Sequence, residues 1–343
     1  MSAATLLAGT LVVALNAYVL LAGADFGGGV WDLLASGPRK EAQRQLVARA
    51  IGPVWEANHV WLILAIVLLF TCFPAAFARI VVPLNLPLTG VLIGIVLRGS
   101  AFAFRGYGGD RDAVQRRWGR VFAVASLVTP LLLGTAVGAV ASGAVGNVAT
   151  RARESFAAQY ITPWLAPFPL SVGAFTLACF AFLAATYLTL EASEGPLRED
   201  FRRRALASGV AVGVAALAAL IVAGPTAPLM RHGLLGSDWA QPFQVVTGVV
   251  ALGALGALVL GRYALARLAA VLWISLVLWG WAWSQYPYVV PPDMTIESAA
   301  APSATLRLVL AALVLGALVL VPSLFYLFRV FKSSDQLSAI SHQ

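Results

Sequence analysis

Histidine is nearly missing from this chain: His59, His232 and His342 are the three among 343 residues. His342 falls in the C-terminal tail and His232 in an expected outer loop, so no two histidines sit at matching depths on neighbouring helices. That argues against haem held between two histidines of this chain. Cysteine is scarcer still. Cys72 and Cys179 lie within or at the edge of apolar runs, without paired spacing, and are expected to be small buried hydrophobes, neither metal ligands nor a disulfide. Charge is depleted too, at 11% of residues against about 25% in soluble domains. A basic stretch before the first apolar run is also lacking, so that run is expected to be a retained helix and not a cleaved leader.

What remains is apolar. Hydrophobic residues make up 60% of the chain, in recurrent runs of roughly 20 residues. Such runs without strict alternation exclude a closed barrel, the other structure that satisfies its own backbone in lipid. The expected fold is all-α, a polytopic membrane protein of about nine transmembrane helices. The spans are placed at 3–24, 53–76, 80–102, 120–142, 168–190, 206–224, 243–260, 265–284 and 306–328. Residues 1–143 and 165–285 are expected to form two four-helix bundles of a pseudo-repeat, with 306–328 as a peripheral last helix and 329–343 as a tail.

A formal charge of +8 would suit nucleic acid, but the basic residues occupy short loops between spans, so no nucleic-acid partner is expected. They set orientation instead. Loops after the odd-numbered spans and the C-terminal end hold 18 of the 23 Lys and Arg; the other side holds Arg79, Arg151, Arg153, Arg231 and Arg307. The positive-inside rule then puts the N-terminus outside and the C-terminus in the cytoplasm, as an odd number of spans requires.

Ionisable groups at membrane depth are expensive and usually mark a path for protons, ions or substrate. Gly52-Pro53-Val54-Trp55-Glu56-Ala57-Asn58-His59-Val60-Trp61-Leu62-Ile63 places a carboxylate, an amide and an imidazole at the mouth of span 2. Glu56 and His59 are three apart and share a helical face. Gly23-Ala24-Asp25-Phe26-Gly27-Gly28-Gly29 sets Asp25 just after the expected end of span 1. Its glycines allow either close backbone approach or a break in the helix. No strand precedes them and no Gly-Lys-Ser/Thr follows, which argues against a nucleotide loop. Arg98 closes span 3, so topology puts Asp25, Glu56 and Arg98 at one depth, on the cytoplasmic side. At this level the cluster has two readings, a proton path or a structural tie among three helices. Tryptophans and tyrosines gather near span ends, as in Trp279, Trp281, Trp283, Tyr286 and Tyr288, and fit an interfacial belt.

These two motifs, together with Leu97-Arg98-Gly99-Ser100-Ala101-Phe102-Ala103-Phe104-Arg105 closing span 3, resemble subunit II of cytochrome bd-type quinol oxidases. The segment from Tyr286-Pro287-Tyr288 to Pro291-Pro292 and the span order are also similar, although the specific part of the resemblance is residues 22–105. The resemblance implies a haem-free subunit with no catalytic residue, haem or metal of its own, in the bacterial cytoplasmic membrane. Its heterodimer partner, subunit I, is implied to carry haem b, haem d and the quinol site. A small accessory subunit, membrane lipid and quinone are further candidate partners. The implied reaction oxidises quinol and reduces oxygen to water with protons from the cytoplasm.

Carried over by position, Asp25 and Glu56 match acidic residues at the family's proton entrance, Arg98 and Arg105 match basic ones, and Trp61 matches an aromatic one, with Asn58 in support. One departure stands out. The family's third motif commonly has an acid where this chain has Ala103, and His59 is the candidate to replace it on the proton path. A proton-coupled secondary transporter and a purely structural assembly subunit are the alternative readings.

Overall fold

Segments that must satisfy every backbone group without water form long helices. The computed structural model describes residues 2–51, 55–107, 112–146, 155–192 and 195–340; for residues 51, 55–57, 105–107, 112, 113, 115, 116, 321, 324, 325 and 327–340 it describes backbone alone. The first half of the chain forms α1 (Ala3–Leu33), α2 (Lys40–Ile51), α3 (Trp55–Cys72), α4 (Pro74–Val81), α5 (Asn85–Tyr107) and α6 (Asp112–Ala141). Two short helices, α7 (Phe156–Tyr160) and α8 (Thr162–Leu165), lead into the second half. That half comprises α9 (Pro167–Glu191), α10 (Pro196–Thr226), α11 (Pro228–Leu235), α12 (Ala240–Val259) and α13 (Tyr263–Gln285). A small antiparallel hairpin, β1 (Tyr288–Val290) with β2 (Met294–Thr295), and α14 (Ile296–Ala299) precede the last helix, α15 (Ser303–Ile340). Among the described residues eight helices are long and apolar enough to cross a membrane, or nine if the bent pair α3–α4 is one span.

Span 1 is longer than the sequence suggests. The helix runs through the glycine triplet to Leu33, so Asp25 lies inside α1 and not beyond its end. Glycine costs about 1 kcal/mol in a helix interior relative to alanine, but here close packing offsets it. A Cβ on Gly27 would fall 1.9 Å from the Phe180 carbonyl oxygen of α9, and one on Gly29 would fall 2.2 Å from Ser126 on α6. Of the two roles open to these glycines, close backbone approach is the one adopted. At the other end, the Ser2 hydroxyl caps α1 by accepting from the Thr5 amide.

Span 2 is broken. α3 ends at Cys72, Pro74 starts α4, and the two axes differ by 117°. Proline suits a first helical turn, where its missing N–H is not needed. The Cys72 carbonyl, left without an intrahelical donor, accepts from the Ala301 amide at 2.8 Å. Arg79 on α4 donates to the Gly146 carbonyl at 2.8 Å and pairs with Asp293 beside the hairpin at 3.0 Å. α4, the hairpin and α14 thus close one end of the molecule over Leu7, Leu68, Phe73 and Leu84.

The main core crosses between the halves: Phe26 and Phe122 pack in one cluster with Phe180, Phe182, Phe201 and Trp273. In lipid there is no water to expel, so helices associate through close van der Waals fit at small residues. Gly23 and Gly27 of α1 against Phe180 and Ala184 of α9 are such a seam. At the end opposite the cap, basic residues tie the connections together. Arg39 makes a bidentate pair with Asp200 at 2.8 and 2.6 Å, Gln43 donates to Asp200 at 2.9 Å, and Arg204 donates to Gln43 at 2.7 Å. The hydrogen bonds it donates to Asp200 hold the Arg39 guanidinium above its ordinary pKa. Arg202 donates to the Leu258 and Val259 carbonyls at the end of α12, which helix ends otherwise leave open.

Candidate proton-path site

The long α1 brings its polar side chains inside the first half. Tyr18, Asp25 and Asp32 are all buried, with Asp25 6% and Asp32 1% exposed. They follow one another at intervals of seven residues, two helical turns, and so line one face. An isolated charge there would be prohibitive, and both acids have polar or cationic company.

Asp25 accepts a hydrogen bond from the Asn58 amide of α3. Arg98, on α5, is almost wholly buried, and its guanidinium lies between two rings, 4.9 Å from the Phe26 centroid and 5.1 Å from that of Phe122. Each such contact contributes about 0.5–2 kcal/mol. Arg98 Nε donates to the Ser126 hydroxyl on α6 at 3.2 Å. Asp25 and Arg98 share the cluster without a direct ion pair between them; Asn58 serves the one and Ser126 the other. His59 stands beside them, its ring 6.0 Å from Tyr18 and 6.3 Å from Phe26. Near the basic end, Asp32 meets the part-exposed Arg44 at 3.8 Å.

Of the residues singled out from the sequence, Asp25, Asn58, His59 and Arg98 therefore meet in one place. Trp61 packs half-buried against the main core. Glu56 and Arg105 lie on described backbone, but their side chains fall outside the described residues. Sequence reasoning missed Tyr18, Asp32 and Ser126. The seven-residue spacing of Tyr18, Asp25 and Asp32 was the available signal for the first two; Ser126 had none, since a lone serine in an apolar helix is unremarked. Among the described residues no group of three or more His, Cys, Asp or Glu could hold a metal ion.

A carboxylate and an imidazole enclosed by four helices can store and pass a proton. A family profile described as cytochrome bd terminal oxidase subunit II matches residues 3–331. Cytochrome bd ubiquinol oxidase subunit 2 of Bacillus subtilis (strain 168) is 33% identical over 117 residues, 34% of this chain and 34% of that protein. Cytochrome bd-I ubiquinol oxidase subunit 2 of Escherichia coli (strain K12) is 27% identical over 237 residues, 67% of this chain and 57% of that one. The chain thus spans less than two thirds of the length of either relative. A chain in the structure of bd oxidase from Geobacillus thermodenitrificans has the same fold, with a TM-score of 0.77 at 20% identity, covering 96% of this chain and 99% of that one. The family match runs from the first helix into the last and takes in every helix around the Asp25 cluster: the chain belongs to the cytochrome bd terminal oxidase subunit II family.

Proposed function

We propose that this chain is the haem-free half of a quinol:oxygen oxidoreductase, scaffolding a haem-bearing subunit I and supplying part of its proton intake. In the overall reaction two quinols give up four electrons and four protons, and oxygen takes four electrons and four protons to become two waters. Haem b and haem d, held by the partner, would supply the electron transfer. This chain contributes protons from the cytoplasmic side, through the Asp25 cluster, with its N-terminus outside and its C-terminus inside.

The single observation that carries this reading is the buried Asp25, Asn58 and Arg98 group within a chain of this family. A purely structural tie needs no dissociable proton at that depth, and a carboxylate there is costly to keep without a use. Arg39 and Arg44, which follow α1, and Arg202 near the start of α10 lie on the side from which Asp32 approaches the cluster, which suits a cytoplasmic intake.

The test is purification of the chain from its native membranes in mild detergent, with a reduced-minus-oxidised spectrum and quinol-dependent oxygen uptake measured on the eluate. A co-purifying subunit with b- and d-type bands and quinol oxidase activity is the expected result. A chain that purifies alone without haem would overturn the reading, and a substrate-uptake assay in proteoliposomes would then test the transporter alternative.

A further inference from the structure

The Asp25 cluster is one station of a longer row. Tyr18, Asp25 and Asp32 occupy one face of α1, each buried and each about 10.5 Å from the next along the axis. All three bear a dissociable proton. The intervals are too long for direct transfer, but each is flanked by a side chain from another helix that can both accept and donate.

Between Asp25 and Asp32 stands Ser126 of α6. Gly29, which lies between the two acids on α1, has no side chain, and a Cβ there would meet the Ser126 hydroxyl at 2.2 Å. The missing side chain is what lets this hydroxyl reach the row. Ser126 accepts from Arg98 Nε, which leaves its own hydrogen available to donate onward. Arg98 only donates and cannot carry a proton itself. On the Tyr18 side of Asp25 is His59 of α3, its ring 6.0 Å from that of Tyr18 and 6.3 Å from that of Phe26. The Tyr18 hydroxyl is buried and has no hydrogen-bond partner among the described residues. An unmatched hydroxyl at that depth is costly, and a water bridge to a neighbouring carrier would satisfy it.

At the outer end, Asp32 is reached through Arg44, whose side chain is 30% exposed against 1% for Asp32. Leu33 and Leu34, the next residues, are exposed. Asp32 is therefore one helical turn from the surface at the basic end.

We propose that α1 carries protons along the row Asp32, Asp25 and Tyr18, with Ser126 and His59 bridging the two intervals and Asp32 as the acceptor nearest the cytoplasm. This rests on the oxidase reading above. Each step moves one proton from an oxygen or nitrogen to the next; no bond other than to hydrogen changes, and the electrons are those of the quinol.

The experiment uses the assembled oxidase with its partner subunit, in which proton uptake during reaction of the reduced enzyme with oxygen is followed with a pH dye alongside haem absorbance. Asp32→Asn is expected to slow proton uptake about tenfold while the haem spectrum is unchanged, and Asp32→Glu is expected to restore it. Normal uptake in Asp32→Asn overturns the row. If Asp25→Asn alone slows uptake, the intake at the Asp25 cluster stands and the row falls; if neither acid slows it, the intake through this chain falls with the row, while the haem spectrum and quinol oxidase activity still decide the oxidase reading. Should Asp32→Asn fail to assemble, Ser126→Ala and Tyr18→Phe decide, since each removes one hydroxyl at constant shape. Slowed uptake in both supports the row, and normal uptake in both overturns it.

Discussion

The Asn58 amide donates to the Asp25 carboxylate across the seam between α1 and α3, with both side chains shut away from solvent. The bond joins the two motifs that the sequence places 33 residues apart.

Asp25→Asn keeps the volume and removes the dissociable proton. Oxygen consumption by the assembled oxidase is expected to fall about tenfold or more, with haem content close to that of the parent. A parallel loss of haem would assign Asp25 to assembly instead.

Arg98 separates charge from shape. Arg98→Lys retains a cation but not the planar group between Phe26 and Phe122 or the fixed bond to Ser126. Arg98→Met removes the cation, both ring contacts and the bond to Ser126, at a cost of about 1–3 kcal/mol. Yield of intact oxidase should therefore fall in the order parent, Lys, Met, measured by size-exclusion chromatography with haem absorbance. Equal yields for Lys and Met would remove the electrostatic account.

His59→Ala is expected to slow turnover several-fold while assembly is retained, because the ring lies beside Tyr18 and Phe26 at the edge of the cluster. Unaltered oxygen consumption would end the idea that His59 serves where Ala103 leaves no acid.

Gly27→Ala tests the seam. Its new methyl would overlap the Phe180 carbonyl at 1.9 Å, and since that atom is backbone, the helices must part. A loss of about 1–3 kcal/mol is expected, read as a lower thermal midpoint of the purified oxidase. Gly9→Ala, where a Cβ meets nothing within 4 Å, should leave the midpoint within error.

The helices were legible in the sequence because membrane spans announce themselves by length and polarity alone. The fold class and eight or nine crossings follow from that. The two places where expectation and structure part have a common cause. The Gly27–Gly29 stretch continues as helix packed closely against Phe180 and Ser126, and the Cys72 carbonyl freed at the Phe73–Pro74 break is satisfied by Ala301. Both causes lie far along the chain, where local pattern cannot see them. The site was half legible for the same reason. Asp25, Asn58 and Arg98 stood out as polar residues in apolar surroundings, whereas Ser126 gains its place only from the absent side chain of Gly29.

The seven-residue spacing along α1 restricts how this protein can change over time. Substitutions within residues 18–32 alter one position, but a single inserted or deleted residue turns everything beyond it by about 100°. Such a change ahead of Gly29 would swing Asp32 away from Arg44 and carry Gly29 off Ser126. Length within this stretch should therefore be held fixed more strictly than identity, and related chains should differ there by replacement and not by gaps.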